Sequence, residues 1–120
     1  MHDAVRRATV VIDSAFAELA GPEDVAAAVG VPLETLRKAF RRERGVWPRE
    51  YIERRRVAEA RRLLAETDLL SYEVGLAVGW HREDTASRAF HRATGMTMRE
   101  YRRTSAGGGG RLGTPAPMLT

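Results

Sequence analysis

No cysteine occurs in the 120 residues, which excludes disulfides, thiol catalysis and the commonest structural zinc sites together. Only His2, His81 and His91 could serve a transition metal. None has a cysteine or a close second histidine beside it, so they are expected to face solvent and no metal is expected. No stretch approaches the roughly 18 consecutive apolar residues that cross a bilayer. The apolar stretch at Val10–Ile12 is too brief for a signal peptide, so a cytoplasmic protein without membrane contact is expected. No convergent acid, base and nucleophile, no phosphate-binding loop and no metal box is present, and the chain is expected to be neither an enzyme nor a cofactor carrier.

What is present is ordinary for a soluble domain: 43% hydrophobic and 30% charged residues. The length suits one compact domain, or two very small units that share a connecting element. The formal charge of +4 is unevenly spread. Residues 1–30 set Arg6 and Arg7 against Asp3, Asp13, Glu18, Glu23 and Asp24, a net −3, whereas residues 31–105 hold 17 Arg or Lys against 11 Asp or Glu, a net +6. Arginine far outnumbers lysine, which suits bidentate contacts to phosphate and guanine, although GC-rich genomes also favour arginine codons.

The most informative feature is internal repetition. Ala28-Val29-Gly30, Leu36, Ala39-Phe40-Arg41-Arg42, Gly45-Val46 and Pro48-Arg49-Glu50-Tyr51 return as Ala77-Val78-Gly79, Ala86, Ala89-Phe90-His91-Arg92, Gly95-Met96 and Met98-Arg99-Glu100-Tyr101. The offset is 49 positions up to Gly30 and Gly79 and 50 from Leu36 and Ala86 onward. One unit therefore occurs twice.

Each copy reads as helix, tight turn, helix. In the first, Pro22 with Glu23 and Asp24 suits a helix start that stops at Gly30. A second helix from about Leu33 to Arg44 ends at Gly45, buries Leu36, Ala39 and Phe40, and faces outward with Glu34, Arg37, Lys38 and Arg41. In the second copy a helix from about Ser71 to Val78 turns at Gly79 into one from about Arg82 to Thr94. Its outward face, by the 50-residue offset, is Asp84, Ser87, Arg88 and His91. Between the copies, Pro48 to Glu66 forms a joining helix with Tyr51, Ile52, Val57, Ala60, Leu63 and Leu64 as its buried stripe. Its length of about 28 Å is close to one turn of B-DNA, about 34 Å, so it suits two recognition helices in successive major grooves. Ala4 to Ala20 is expected as an amphipathic helix burying Val5, Ala8, Ile12, Ala15, Phe16 and Leu19. Thr97-Met98-Arg99-Glu100 has the spacing of a capping box that starts a short last helix through Tyr101. The expected organisation is one all-α domain over 1–106, with helix-turn-helix units at about 22–45 and 71–95 and the linker helix at about 48–66. A flexible Gly- and Pro-containing tail is expected at 107–120.

These residues, notably Gly30, Leu36, Phe40, Gly45, Pro48 and Tyr51, then Arg56, Ala60, Leu63-Leu64, Val74, Gly79, Phe90, Gly95 and Tyr101, resemble the AraC/XylS family of bacterial transcription regulators over roughly residues 5–103. The resemblance implies a seven-helix, two-lobed fold that binds double-stranded DNA sequence-specifically, with RNA polymerase as a further candidate partner. It places DNA contacts at Glu34, Arg37, Lys38 and Arg41 in the first unit. In the second it places them at Asp84, Ser87 and Arg88, with Glu83 and Thr85 at the start of the helix. Binding as a monomer is expected. Departures from the family pattern are Trp80 and Ala86 where aromatic residues of the usual size stand, His81 in place of a polar cap, Gly75 for alanine, Met98 for proline, and Trp47 where a small polar cap is common. Trp80, larger than usual, and Ala86, smaller, are expected to compensate one another.

Beside these readings stand plainer ones. A basic helix face is often only solvated, and Arg88 beside Glu83 and Asp84 is open to a local ion pair worth little. Arg54, Arg55, Arg56, Arg61 and Arg62 are expected to serve as intramolecular partners and surface charge. Phe40, Phe90, Tyr51, Tyr101 and Trp80 are expected in the core, while an exposed Trp47 would offer a partner contact. The alternative function is a protein-interaction module built from degenerate helix-turn-helix units. No ligand-sensing domain fits in this length, so abundance, a partner or a longer parent chain would have to supply control.

Overall fold

The computed structural model describes residues 3–109, with side chains described to Ser105. Its elements are seven α-helices with no strand among the described residues: α1 (Asp3–Ala15), α2 (Pro22–Val29), α3 (Leu33–Arg44), α4 (Pro48–Glu66), α5 (Ser71–Val78), α6 (Glu83–Thr94) and α7 (Met98–Gly109). His2, and the part of the expected tail from residue 110 onward, lie outside the described residues. The chain divides into two compact units at Arg56, within α4.

In the first unit α1, α2 and α3 pack on one another. Val5, Ala8 and Ile12 recur at helical spacing on α1 and meet Val25, Ala26 and Val29 of α2, Leu36, Ala39 and Phe40 of α3, and Ile52 of α4. Phe40 and Ile12 are fully enclosed. Each would cost several kcal/mol to truncate, about 2–5 by the usual cavity cost. In the second unit Ala60, Leu63, Leu64, Val74, Val78, Trp80, Ala86, Ala89, Phe90 and Met98 are buried. The duplication survives in the packing. Phe40 meets Tyr51 edge-on at 5.5 Å between ring centres, and Phe90 meets Tyr101 edge-on at 5.7 Å, arrangements that add about 0.5–1.5 kcal/mol beyond burial.

The change of offset from 49 to 50 lies in the turns. Gly30, Val31 and Pro32 join α2 to α3, whereas Gly79, Trp80, His81 and Arg82 join α5 to α6. Both turns begin with a glycine in the left-handed region, φ 77° at Gly30 and 106° at Gly79, which side chains with a Cβ rarely adopt. Both then return the next amide to the helix: Val31 N–H donates to the Ala26 carbonyl at 3.2 Å and Trp80 N–H to the Gly75 carbonyl at 2.8 Å. The one extra residue follows Trp80, whose side chain is buried.

α1 ends at Ala15 rather than at the expected Ala20. The reason is tertiary. Glu18 N–H closes a turn onto the Ala15 carbonyl, and the carbonyls of Phe16 and Leu19 accept from the Arg56 guanidinium at 3.0 and 2.6 Å. Ala15, Phe16 and Leu19 are accordingly only half-buried. The same device recurs: Arg7 donates to the Val29 carbonyl at the end of α2 (2.9 Å), and Arg102 donates to the carbonyls of Leu64 and Thr67 at the end of α4 (3.1 and 3.2 Å). A guanidinium satisfies the orphan carbonyls of a helix end and complements its negative dipole. Arg7, Arg56 and Arg102 are thus structural. Burial lowers the Arg56 pKa, the Glu53 carboxylate opposing it, yet the group stays charged. Arg56→Met is expected to destabilise the chain by about 1.5–3 kcal/mol, the range for hydrogen bonds to a charged group. Arg56→Lys should recover little, because an ammonium on a flexible stem lacks the rigid planar fork that aims separate N–H groups at the two carbonyls. A lysine variant as stable as the parent in denaturant melts would show that the fork contributes nothing.

Two departures flagged in the sequence meet in the second unit. A Cβ added at Gly75 would stand 3.2 Å from the Ala86 Cβ and 3.6 Å from the Trp80 carbonyl, so α5 and α6 approach at a spot where a second methyl would have to displace its neighbour by a few tenths of an ångström. On its far side Ala86 borders an open cleft of about 190 Å³ shared with Tyr72 and Met98. Close approach through Gly75 is what the small residue allows.

Candidate nucleic-acid interface

The second helix of each unit turns a polar face outward. On α3, Leu36, Ala39 and Phe40 point inward, and Glu34, Lys38 and Arg41 are exposed, with Arg37 partly so. On α6, Ala86, Ala89 and Phe90 point inward, Glu83, Asp84, Ser87, Arg88 and His91 are exposed, and Thr85 is half-buried. Each sequence-derived set thus stands on one helix of its own unit.

The α3 face is strongly basic. Arg37, Lys38, Arg41, Arg42 and Arg44 outweigh Glu34 and Glu43. Arg37 is paired with Glu34 Oε1 at 3.0 Å, an exposed pair one turn apart and so weak. Arg41 donates to the Gly45 carbonyl at 2.8 Å. Lys38 makes no hydrogen bond or ion pair among the described residues and stands fully available. Arg44 lies 5.0 Å over the Tyr51 ring and remains exposed. Tyr51 in turn donates its hydroxyl to Asp13 Oδ1 at 2.9 Å, where Arg55 also donates at 2.9 Å. Burial and the Asp13 carboxylate raise the Tyr51 pKa. Three further arginines of α4 are engaged as expected: Arg54 with Glu50, Arg62 with Glu59 and Glu66, and Arg61 over Tyr101.

The α6 face is organised around one carboxylate. Asp84 accepts from Arg82 at 3.1 and 3.3 Å, from the Thr85 amide at 2.9 Å, and stands 3.5 Å from Arg88. The Arg82 hydrogen bond holds the Asp84 pKa below the usual carboxylate range, so the carboxylate is ionised throughout neutral pH. The local ion pair weighed for Arg88 is real but loose, since the Arg88 side chain is 68% exposed. Arg82 was not among the sequence-derived contacts. It precedes α6 as its N-cap without a side-chain cap, and its basic charge two positions before Asp84 was the available signal. Thr97 and Glu100 form the reciprocal cap foreseen for α7, with the Thr97 amide 2.9 Å from Glu100 Oε1 and the Glu100 amide 3.0 Å from Thr97 Oγ1. The Thr97 amide lowers the Glu100 pKa.

Trp47 is exposed to 41%. The guanidinium carbons of Arg37 and Arg41 lie 5.1 and 5.3 Å from its ring centre, within the range of cation–π attraction. At the matching position of the second repeat stands Thr97, a normal cap. Trp47 has no side-chain oxygen, and the first unit forgoes a cap worth about 1 kcal/mol.

A duplicated helix-turn-helix with a basic outer helix defines a class of nucleic-acid-binding domain. The helix-turn-helix domain family matches residues 25–104 of this chain. The C-terminal domain of AraT, a response regulator from Geobacillus stearothermophilus, is 31% identical, with 85% of each chain covered and a TM-score of 0.81. A transcriptional regulator with an AraC-type DNA-binding domain from Chromobacterium violaceum is 27% identical over 88% of this chain and 95% of that one, with a TM-score of 0.78. The DNA-binding domain of AdpA, a global transcriptional factor crystallised with a target DNA, shares the fold at a TM-score of 0.79, with 23% identity over 88% of this chain and 95% of that one. No curated protein is similar enough in sequence to count as a match. The chain belongs to the AraC-type family of helix-turn-helix, sequence-specific DNA-binding transcription regulators. That family is not an enzyme class, and membership disfavours the interaction-module alternative. Among the described residues no helix is long and apolar enough to cross a membrane.

Proposed function

We propose that this regulator binds as a monomer, inserting α3 and α6 into successive major grooves of one DNA site, in the cytoplasm, where RNA polymerase is the partner its binding recruits or obstructs. The observation that carries this reading is the pair of outward polar helix faces, one per unit, on a single chain. The 19-residue α4 is about 28 Å long at about 1.5 Å per residue, close to one DNA turn of about 34 Å.

In this reading Lys38, Arg37 and Arg41 supply phosphate and guanine contacts in the first unit, with Glu34 orienting Arg37. In the second unit Arg88 reads a base, Asp84 orients Arg88 and Arg82, and Glu83, Thr85 and Ser87 contact the DNA at the start and along the face of α6. A bidentate arginine on guanine is the commonest specific contact in a major groove. On a site selected from random DNA, the chain should protect about 20 base pairs in two patches on one face of the duplex. A single short patch, or a stoichiometry of two chains per site, would count against the reading.

A further inference from the structure

We propose that Trp47 is a positioning residue for recognition by the first unit: its exposed indole holds the Arg37 and Arg41 guanidiniums on the outer face of α3 and so narrows the range of sequences that face accepts. The inference rests on the reading that α3 enters the groove.

Arg37 and Arg41 lie one helical turn apart on the same face, and both guanidinium carbons sit within 5.3 Å of the Trp47 ring centre. Two cations so placed repel one another, and the electron-rich face of an indole is the side chain best suited to hold them together. Each arginine has a second anchor at the other end of its reach: Glu34 Oε1 for Arg37 at 3.0 Å and the Gly45 carbonyl for Arg41 at 2.8 Å. Gly45, at φ 79°, ends α3 and turns the chain so that position 47 comes back beneath the α3 face. The other repeat supplies the comparison. By the 50-residue offset, Thr97, Ser87 and His91 stand where Trp47, Arg37 and Arg41 stand here. There the cap is present and no arginine pair exists. Here the arginine pair is present and the cap has been exchanged for an indole.

The consequence for binding follows from arginine's flexibility. A free arginine loses rotamer freedom when it docks, whereas one already held in place loses less. A guanidinium fixed in direction also presents its planar fork at one base edge rather than at any nearby phosphate. Trp47 should therefore matter more on the selected site than on unrelated DNA.

The test uses Trp47→Thr, which installs the cap of the second repeat and so supports the start of α4, together with Trp47→Phe, which keeps an aromatic face. On the selected site Trp47→Thr should bind about 10-fold more weakly, the size expected for two exposed cation–π contacts. On an unrelated duplex the loss should stay within about 2-fold, and Trp47→Phe should recover most of the affinity. In an Arg37→Ala/Arg41→Ala background, adding Trp47→Thr should change nothing further, because residues acting through one another do not add. The same loss in that background would mean that Trp47 touches DNA itself, and equal losses on both duplexes would mean a general structural role. Either result overturns the proposal. If the Arg37→Ala/Arg41→Ala chain bound the selected site like the parent, the groove reading would fail first, a result recognisably different from the other two.

Discussion

Trp80→Ala is expected to destabilise the chain by about 3–5 kcal/mol, the usual cost of removing a fully packed large aromatic. Trp80 is only 2% exposed and follows the turn glycine where the second unit carries its extra residue. It anchors the longer turn in the core. The complementary substitution works by excess volume. Gly75 is buried in α5, and even a bare Cβ there would stand 3.2 Å from Ala86. Gly75→Ala has two opposed effects, a gain in helix propensity of about 1 kcal/mol and a contact that must yield by a few tenths of an ångström. Gly75→Leu has no such balance and should cost about 1–3 kcal/mol or more by driving α5 from α6. Denaturant melts decide both. A neutral Trp80→Ala would mean that the longer turn is held by its backbone alone, and a neutral Gly75→Leu that α5 and α6 part without penalty.

The limits of α2, α3, α4 and α5 were legible because each is set locally. Pro22 and Pro48 open helices, glycines close α2, α3 and α5, and apolar residues recur at helical spacing between them. What escaped the sequence depends on contacts distant in the chain. Nothing near Ala15 says that Arg56, forty residues on, will take the Phe16 carbonyl and let α1 stop. At the other end, the capping-box spacing at Thr97–Glu100 implies only a short last helix through Tyr101, and the glycines after Ala106 a tail from residue 107. α7 instead continues past Tyr101 to Gly109, with Arg102 tied to the end of α4. The outward face of α3 followed from helical periodicity and that of α6 from the 50-residue repeat offset. The roles of Arg82 and Trp47 did not, since each depends on where a flexible side chain reaches: Arg82 to Asp84, and Arg37 and Arg41 to the indole.

The two recognition helices are expected to do unequal work. α3 carries a net +3 from Arg37, Lys38, Arg41, Arg42 and Arg44 against Glu34 and Glu43. α6 carries Arg88 and Arg92 against Glu83 and Asp84, and counting the capping Arg82 brings its end only to +1. Moreover, Arg82 and Arg88 share the Asp84 carboxylate, which damps the field they present to phosphate. Because phosphate neutralisation dominates nucleic-acid affinity and its salt dependence, the first unit should supply most of the binding energy and the second mainly selectivity. Replacing Arg37 and Lys38 by alanine should weaken binding to every sequence through Lys38, flatten the dependence of log K on log salt by about 0.9 for the phosphate that Lys38 no longer neutralises, and weaken the selected site further through Arg37. Arg88→Ala should leave that slope nearly unchanged and cost about 1–3 kcal/mol at one base pair, with preference relaxed there. Asp84→Asn frees both arginines from their shared carboxylate. It should raise affinity for unrelated DNA, steepen the salt slope and lower discrimination. Titrations at several salt concentrations separate the outcomes: equal slopes for the Arg37→Ala/Lys38→Ala and Arg88→Ala chains would show that the two helices share the phosphate contacts evenly and would end the division of labour.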